Sequence, residues 1–214
     1  MPTLQSVPVR RFSWRSRQRH RPGLQFLVST GRLHGFESLE ERSLLLALDF
    51  VGTVVDVLPQ PFRLRFETVA EGFREHTPDF LAVFQDGTRW LFDVRPARLI
   101  KEKDEPCFAA AGEVALASGW RYSVVTGWRP HVLSVLDALS AQRRALEDQL
   151  GLQDRLLRVA GAGPVTFGEL VAATALPVVA RAHALHLLWH RRLGVELSCP
   201  LGDRSLVWSA AEEC

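Results

Sequence analysis

Residues 76–96, His76-Thr-Pro-Asp79-Phe-Leu-Ala-Val-Phe-Gln-Asp86-Gly87-Thr-Arg-Trp-Leu-Phe-Asp93-Val-Arg95-Pro96, restrict the fold more than any other segment. Two apolar runs, Phe80–Phe84 and Trp90–Phe92, flank Gln85-Asp86-Gly87-Thr88. Asp-Gly between apolar runs is a strong short-range hairpin signal, because glycine accepts the positive φ that a tight turn needs. Asp79 enters the first strand and Asp93 leaves the second. An antiparallel fold-back at Asp86-Gly87 therefore returns both carboxylates to one end of the hairpin. Arg95 follows Asp93 by two residues, the spacing that puts side chains on one face of a strand.

The elements around this hairpin predict a mixed α/β domain. Leu24–Thr30 reads as a strand ended by Gly31. Residues 37–50 read as a helix, with Ser38 as N-cap and Glu41 at the third helical position, a capping box. Leu44, Leu45 and Leu48 recur at helical spacing as its buried stripe. Val51–Pro59 and Phe62–Thr68 read as strands around Gln60-Pro61, Cys107–Ser118 as an Ala-rich helix, and Tyr122–Thr126 as a further strand. The order β-α-β-β-β-β-α-β gives a mixed sheet with helices on its faces.

A second module is predicted beyond Pro130. Residues 131–151 read as a charged helical linker. Leu152–Ala160, Phe167–Ala173 and Val178–Arg192 read as three helices, with a capping box at Thr166/Glu169 and Pro177 starting the third. Val195–Ser198 and Ser205–Trp208 form a hairpin, completing a winged-helix-like pattern. The predicted divisions are a basic arm over 1–22, the α/β domain over 23–130, the linker over 131–151 and the winged-helix-like domain over 152–214.

The net charge of +2 conceals an asymmetry. Residues 1–21 hold six arginines (Arg10, Arg11, Arg15, Arg17, Arg19, Arg21) and no acid, so the remaining residues set 20 basic against 24 acidic side chains, a net −4. A basic arm carrying Trp14 suits a nucleic-acid backbone, where each neutralised phosphate releases counterions and aromatics stack on bases. The competing readings are a solvated leader and an Arg-rich, acid-poor targeting segment. The 47% hydrophobic content is enough for a packed core. No uncharged apolar run approaches the roughly 20 residues of a membrane span, so no membrane association is expected. Three scattered cysteines, Cys107, Cys199 and Cys214, without a C-x-x-C, argue against a zinc or disulfide framework and for buried free thiols in a reducing, cytoplasmic setting.

Two carboxylates and a cation at one end of a hairpin match what phosphodiester hydrolysis requires. A divalent metal, Mg²⁺ or Mn²⁺, polarises the phosphate and lowers the pKa of the attacking water, and positive charge stabilises the developing anion. Asp79 and Asp93 are the candidate metal ligands, with the Val94 carbonyl assisting, and Arg95 is the candidate phosphate-binding group. Glu41 is the candidate third carboxylate, although its capping box is itself a full structural explanation; Glu37 and Glu40 are alternatives. Arginine cannot serve as a general base; Lys101 and Lys103 on the following loop are candidate substitutes, although both read first as solvent-facing. His183, His186 and His190 fall on one helix face beside Arg181, Arg191 and Arg192. Without a fourth ligand, that face reads as one that touches DNA or a partner.

The ordered set Glu37-Ser38-Leu-Glu-Glu41-Arg42, Leu48-Asp49-Phe50, Gln60-Pro61, Thr77-Pro78-Asp79-Phe80, Asp86-Gly87, Asp93-Val94-Arg95-Pro96 and Trp120-x-Tyr122-x-Val-Val-Thr126-Gly127 resembles the TnsA-like endonuclease subunits of heteromeric transposases, members of the PD-(D/E)xK nuclease superfamily. The resemblance covers residues 23–128. It implies a restriction-endonuclease-like fold and a winged-helix-like C-terminal module. It also implies a Mg²⁺-dependent cut on one strand at transposon ends during cut-and-paste transposition. A DDE-type transposase would act on the other strand, and an AAA+ ATPase would regulate the assembly. By position, Glu41, Asp79 and Asp93 take the acidic metal-binding places and Arg95 stands where the family has lysine. The alternatives are a catalytically degenerate subunit that bridges transposase and DNA, and an unrelated restriction or repair nuclease of the same fold.

Overall fold

A computed structural model describes residues 22–68 and 72–210. The described residues divide into two compact units, with the boundary between Gly127 and Trp128.

The first unit is mixed α/β. Strands β1 (Gly23–Leu27) and β2 (Arg32–Phe36) form an antiparallel pair, followed by helix α1 (Leu39–Val51). Ser38 caps α1 as expected, its side chain accepting from the Glu41 amide, and Gly52 ends the helix in the left-handed region at φ 71°. Strand β3 (Val54–Pro59) precedes a two-stranded ribbon, β4 (Leu64–Thr68) and β5 (Gly72–His76). The predicted hairpin forms as β6 (Phe80–Phe84) and β7 (Arg89–Val94). Its turn has Gly87 at φ 82° and the Asp86 carboxylate accepting from the Thr88 amide at 2.8 Å and hydroxyl at 2.6 Å. Helix α2 (Glu105–Ala117) then crosses over to β8 (Arg121–Val125).

The central sheet has the order β3-β6-β7-β8, antiparallel except for the β7–β8 pair. Parallel neighbours need a crossover of about a dozen residues or more, which α2 supplies. Phe80, Leu81 and Ala82 are buried in succession, so both faces of the sheet are covered. One face packs Leu58, Leu81 and Leu91 against Ala111 and Ala115 of α2, with Trp120 and Tyr122 at the margin. Strands β2 and β5 add to the expected order. The predicted strand over 51–59 begins three residues late because α1 keeps Val51.

The second unit carries helix α3 (Val132–Ser140), helix α4 (Leu152–Gly161), strand β9 (Val165–Thr166), helix α5 (Phe167–Ala172), helix α6 (Pro177–Trp189), and strands β10 (Leu193–Val195) and β11 (Leu206–Ser209). The three strands form an antiparallel sheet in the order β10-β11-β9. The Thr166/Glu169 capping box and Pro177 at the start of α6 both form. Residues 131–151 are not a continuous helical linker. Only Val132–Ser140 is helical, and Asp148 turns the rest into α4 by accepting from the Leu152 and Gln153 amides at 2.8 Å. This segment belongs to the second unit, which begins at Trp128. Of the cysteines, Cys107 is buried and Cys199 is exposed, against the expectation that the thiols would be buried; both are free, and Cys214 lies outside the described residues. Among the described residues no helix is long and apolar enough to cross a membrane.

Candidate functional site

The hairpin brings Asp79 and Asp93 together at one end. Asp79 precedes β6, and its amide donates to the Phe92 carbonyl at 3.0 Å, closing the ladder beyond the strand. Its Oδ2 accepts from the Val94 amide at 2.7 Å. Asp93 lies near the end of β7 and is 2% exposed. Its Oδ2 accepts from the Tyr122 hydroxyl at 2.7 Å, and His76 Nε2 stands 3.0 Å from Oδ1 and 3.1 Å from Oδ2.

Both acids line a cleft of about 530 Å³ in the first unit, together with Glu37, Glu41, Arg95 and Asp104. Glu41 reaches it from the first turn of α1. Its carboxylate accepts from the Glu37 amide at 2.8 Å and the Ser38 hydroxyl at 2.9 Å, so the expected Ser38 cap forms while the return bond from Glu41 runs to Glu37, and the same side chain lines the cleft. The Asp79 carboxyl is pushed well above the usual carboxylate range. Burial is the main cause, reinforced by the negative charge of Glu41, while the Val94 amide opposes the rise and Asp93 and Glu37 add to it. Tyr122 moves upward as well, through burial and then the adjacent Asp93 charge, so its hydroxyl remains a donor.

Arg95 lines the cleft with Asp93 as expected. Its Nε is buried without a hydrogen bond and lies 3.5 Å from Asp104 Oδ2, while its amide donates to the Val125 carbonyl at 3.0 Å. Lys101 and Lys103 are exposed on the turn before α2, as the solvent-facing reading expects, whereas Glu40, exposed on α1, also lines the cleft.

The donor chemistry fits a hard divalent cation. Six carboxylates, Glu37, Glu40, Glu41, Asp79, Asp93 and Asp104, line one cleft, and the repulsion that adds to the effect of burial on Asp79 is the repulsion a bound cation relieves. Among the described residues no three His, Cys, Asp or Glu side chains are already grouped around a common metal position. Each acid is instead held by a neighbour: Glu41 by its cap, Asp79 by Val94, and Asp93 by His76 and Tyr122.

The other candidate residues divide differently. Arg10, Arg11, Arg15, Arg17, Arg19 and Arg21 lie outside the described residues. Arg181 pairs with Asp203 and stacks over Phe167 at 5.0 Å, and Arg191 and Arg192 are exposed just beyond α6. The histidine face of α6 bonds within its own unit, with His183 buried, His186 half-buried and His190 exposed. His183 is 5% exposed beside Gln153 and Asp148, His186 Nδ1 lies 2.8 Å from the Gln142 carbonyl, and His190 Nε2 lies 3.1 Å from the Arg143 carbonyl. A helix face can be polar and still point inward when backbone carbonyls wait to be satisfied.

Sequence reasoning singled out neither His76, Tyr122 nor Asp104. His76 carried a usable signal, standing three residues before Asp79, and Tyr122 is the chain's one tyrosine. Neither position reveals a partner at Asp93 until the register of β7 with β8 is known. No protein-family model matches the chain, and no curated protein is significantly similar to it.

Proposed function

We propose that the first unit is a restriction-endonuclease-like, Mg²⁺- or Mn²⁺-dependent DNA endonuclease domain, acting as the cutting subunit of a heteromeric transposase at transposon ends. The observation that carries this reading is the convergence of Asp79, Asp93 and Glu41 on one cleft that also holds Arg95. Asp79, Asp93 and Glu41 would hold the cation, which when bound polarises the phosphate and activates water. Arg95 would bind the scissile phosphate through its guanidinium fork, with Asp104 setting the direction of that fork. Burial of Asp93 keeps bulk water from competing at the carboxylate. The second unit, read as winged-helix-like, and the basic arm would bind DNA or the partner subunits. By the same resemblance those subunits are a DDE-type transposase and an AAA+ ATPase.

Calorimetric titration of the full chain with Mn²⁺ in the presence of duplex DNA tests the site. Binding that disappears in the Asp79→Ala/Asp93→Ala double variant supports it, and binding that survives there refutes it. Strand cleavage in the assembled complex, lost in Asp93→Ala, tests the reaction.

A second reading is a subunit that bridges DNA and transposase without cutting. The Arg95–Asp104 pair favours it, because arginine takes no proton from water and this one is already turned to a carboxylate. Cleavage absent in the wild type and gained with Arg95→Lys would select this reading.

A further inference from the structure

The end of β5 with the loop that follows it, residues 76–79, and strand β7 hold each other in two directions. The loop sends Asp79 to the Val94 amide and His76 to the Asp93 carboxylate, so each side supplies one acid and one donor. Tyr122 approaches the same carboxylate from β8, whose register sets Tyr122 beside Leu91 and Val124 beside Asp93. The tyrosine ring has little room to move. It lies against the bare backbone of α2 at Gly112, where a Cβ would stand 3.3 Å from Tyr122 Cδ1. On the other side of the loop, His76 meets Phe108 of α2 edge-on, with ring centroids 6.4 Å apart. Both donors are therefore fixed by packing before they reach the acid. An ionised carboxylate can only accept, so both contacts run from donor to Asp93.

We infer that His76 and Tyr122 are positioning residues that orient Asp93 for metal binding, a role resting on the metal-dependent reading of the cleft. Neither is a metal ligand. Their contribution is to fix the direction of the Asp93 oxygens, so that the cation meets a preset ligand and does not have to order one. Partners of this kind change metal affinity by about 10- to 100-fold when removed.

The test is Mn²⁺ binding by calorimetry on the full chain with duplex DNA, alongside thermal unfolding by circular dichroism. Tyr122→Phe keeps the ring against Gly112 and deletes only the hydroxyl; His76→Ala deletes the second donor. Each is expected to weaken Mn²⁺ binding by about 10- to 100-fold. His76→Gln returns an N–H at similar reach and is expected to recover most of the loss. If Tyr122→Phe and His76→Ala bind Mn²⁺ like the wild type while Asp93→Ala does not, the two donors only satisfy a buried acid and the inference is overturned. If Asp93→Ala itself binds normally, the metal-site reading fails and the inference with it. A lowered melting temperature without a change in affinity also counts against positioning, because a purely structural partner would give that pattern.

Discussion

Asp79 Oδ2 and the Val94 amide are joined by a 2.7 Å hydrogen bond that ties the start of the hairpin to the residue just past Asp93. Asp79 is thereby held in the lining of the cleft, where Glu41, Asp93 and Glu37 add negative charge around it. The bond opposes protonation; burial and the neighbouring acids favour it and prevail.

A carboxyl raised in the folded state holds its proton at pH values where the unfolded chain has released it. The metal-free protein therefore loses stability as pH rises through the window above the ordinary Asp value, and recovers it on acidification. Asp79→Asn keeps an acceptor for Val94 and removes the charge. It should raise the metal-free melting temperature at neutral pH by about 2–4 °C and flatten this part of the pH profile, as read by calorimetric melts across pH.

Glu41 has two duties that substitution can separate. Glu41→Gln retains the amide-accepting cap but not the charge, so stability should change little while the Asp79 carboxyl moves back toward its ordinary range. Glu41→Ala loses the cap as well and should cost about 1 kcal/mol. Side-chain carboxyl NMR of Asp79 reads the loss of charge and thermal melts read the loss of the cap, and an Asp79 titration indifferent to Glu41→Gln would show that the charges do not interact.

Tyr122 permits a direct optical check because the chain has no other tyrosine. With its hydroxyl raised by burial and by Asp93, the folded protein should show no tyrosinate absorbance as pH climbs past about 10, the ordinary tyrosine value. Above that pH only the unfolded chain gives up the proton, so stability falls and tyrosinate should appear together with loss of the circular dichroism signal. Tyrosinate formed before unfolding would contradict the hydrogen bond to Asp93.

The second unit has its own close approach. Gly194 pairs with Trp208 across β10 and β11, and a Cβ there would fall 2.2 Å from Trp208 Nε1. Gly194→Ala should therefore displace the indole and cost about 1–3 kcal/mol. Denaturant unfolding followed by tryptophan fluorescence measures it, and an unchanged midpoint would mean that the ring moves aside freely.

Local chemistry made much of this fold legible. Ser38, Thr166 with Glu169, Pro177 and Asp86-Gly87 all act within a few residues of themselves, and all adopt the expected caps and turns. The hairpin alone carried Asp79 and Asp93 to one end. Strands β2 and β5 were missed because neither has the bounded run of alternating apolar residues that marks a strand; Arg32-Leu-His-Gly-Phe36 and Gly72-Phe-Arg-Glu-His76 gain their definition from a partner strand. The bonds of His186 and His190 to the carbonyls of Gln142 and Arg143, and of His183 to Gln153, depend on segments distant in sequence, which no periodicity encodes. His76 and Tyr122 escaped for the same reason.

The contact between Tyr122 and Asp93 spans 29 positions of sequence. The Asp86-Gly87 hairpin can close early from local pairing, but this bond waits until the α2 crossover has been folded and β8 laid beside β7. During synthesis, a chain that has emerged only as far as α2 holds both carboxylates without the tyrosine that braces one of them. The order of emergence itself thus delays completion of the acid cluster until the sheet has received its last strand.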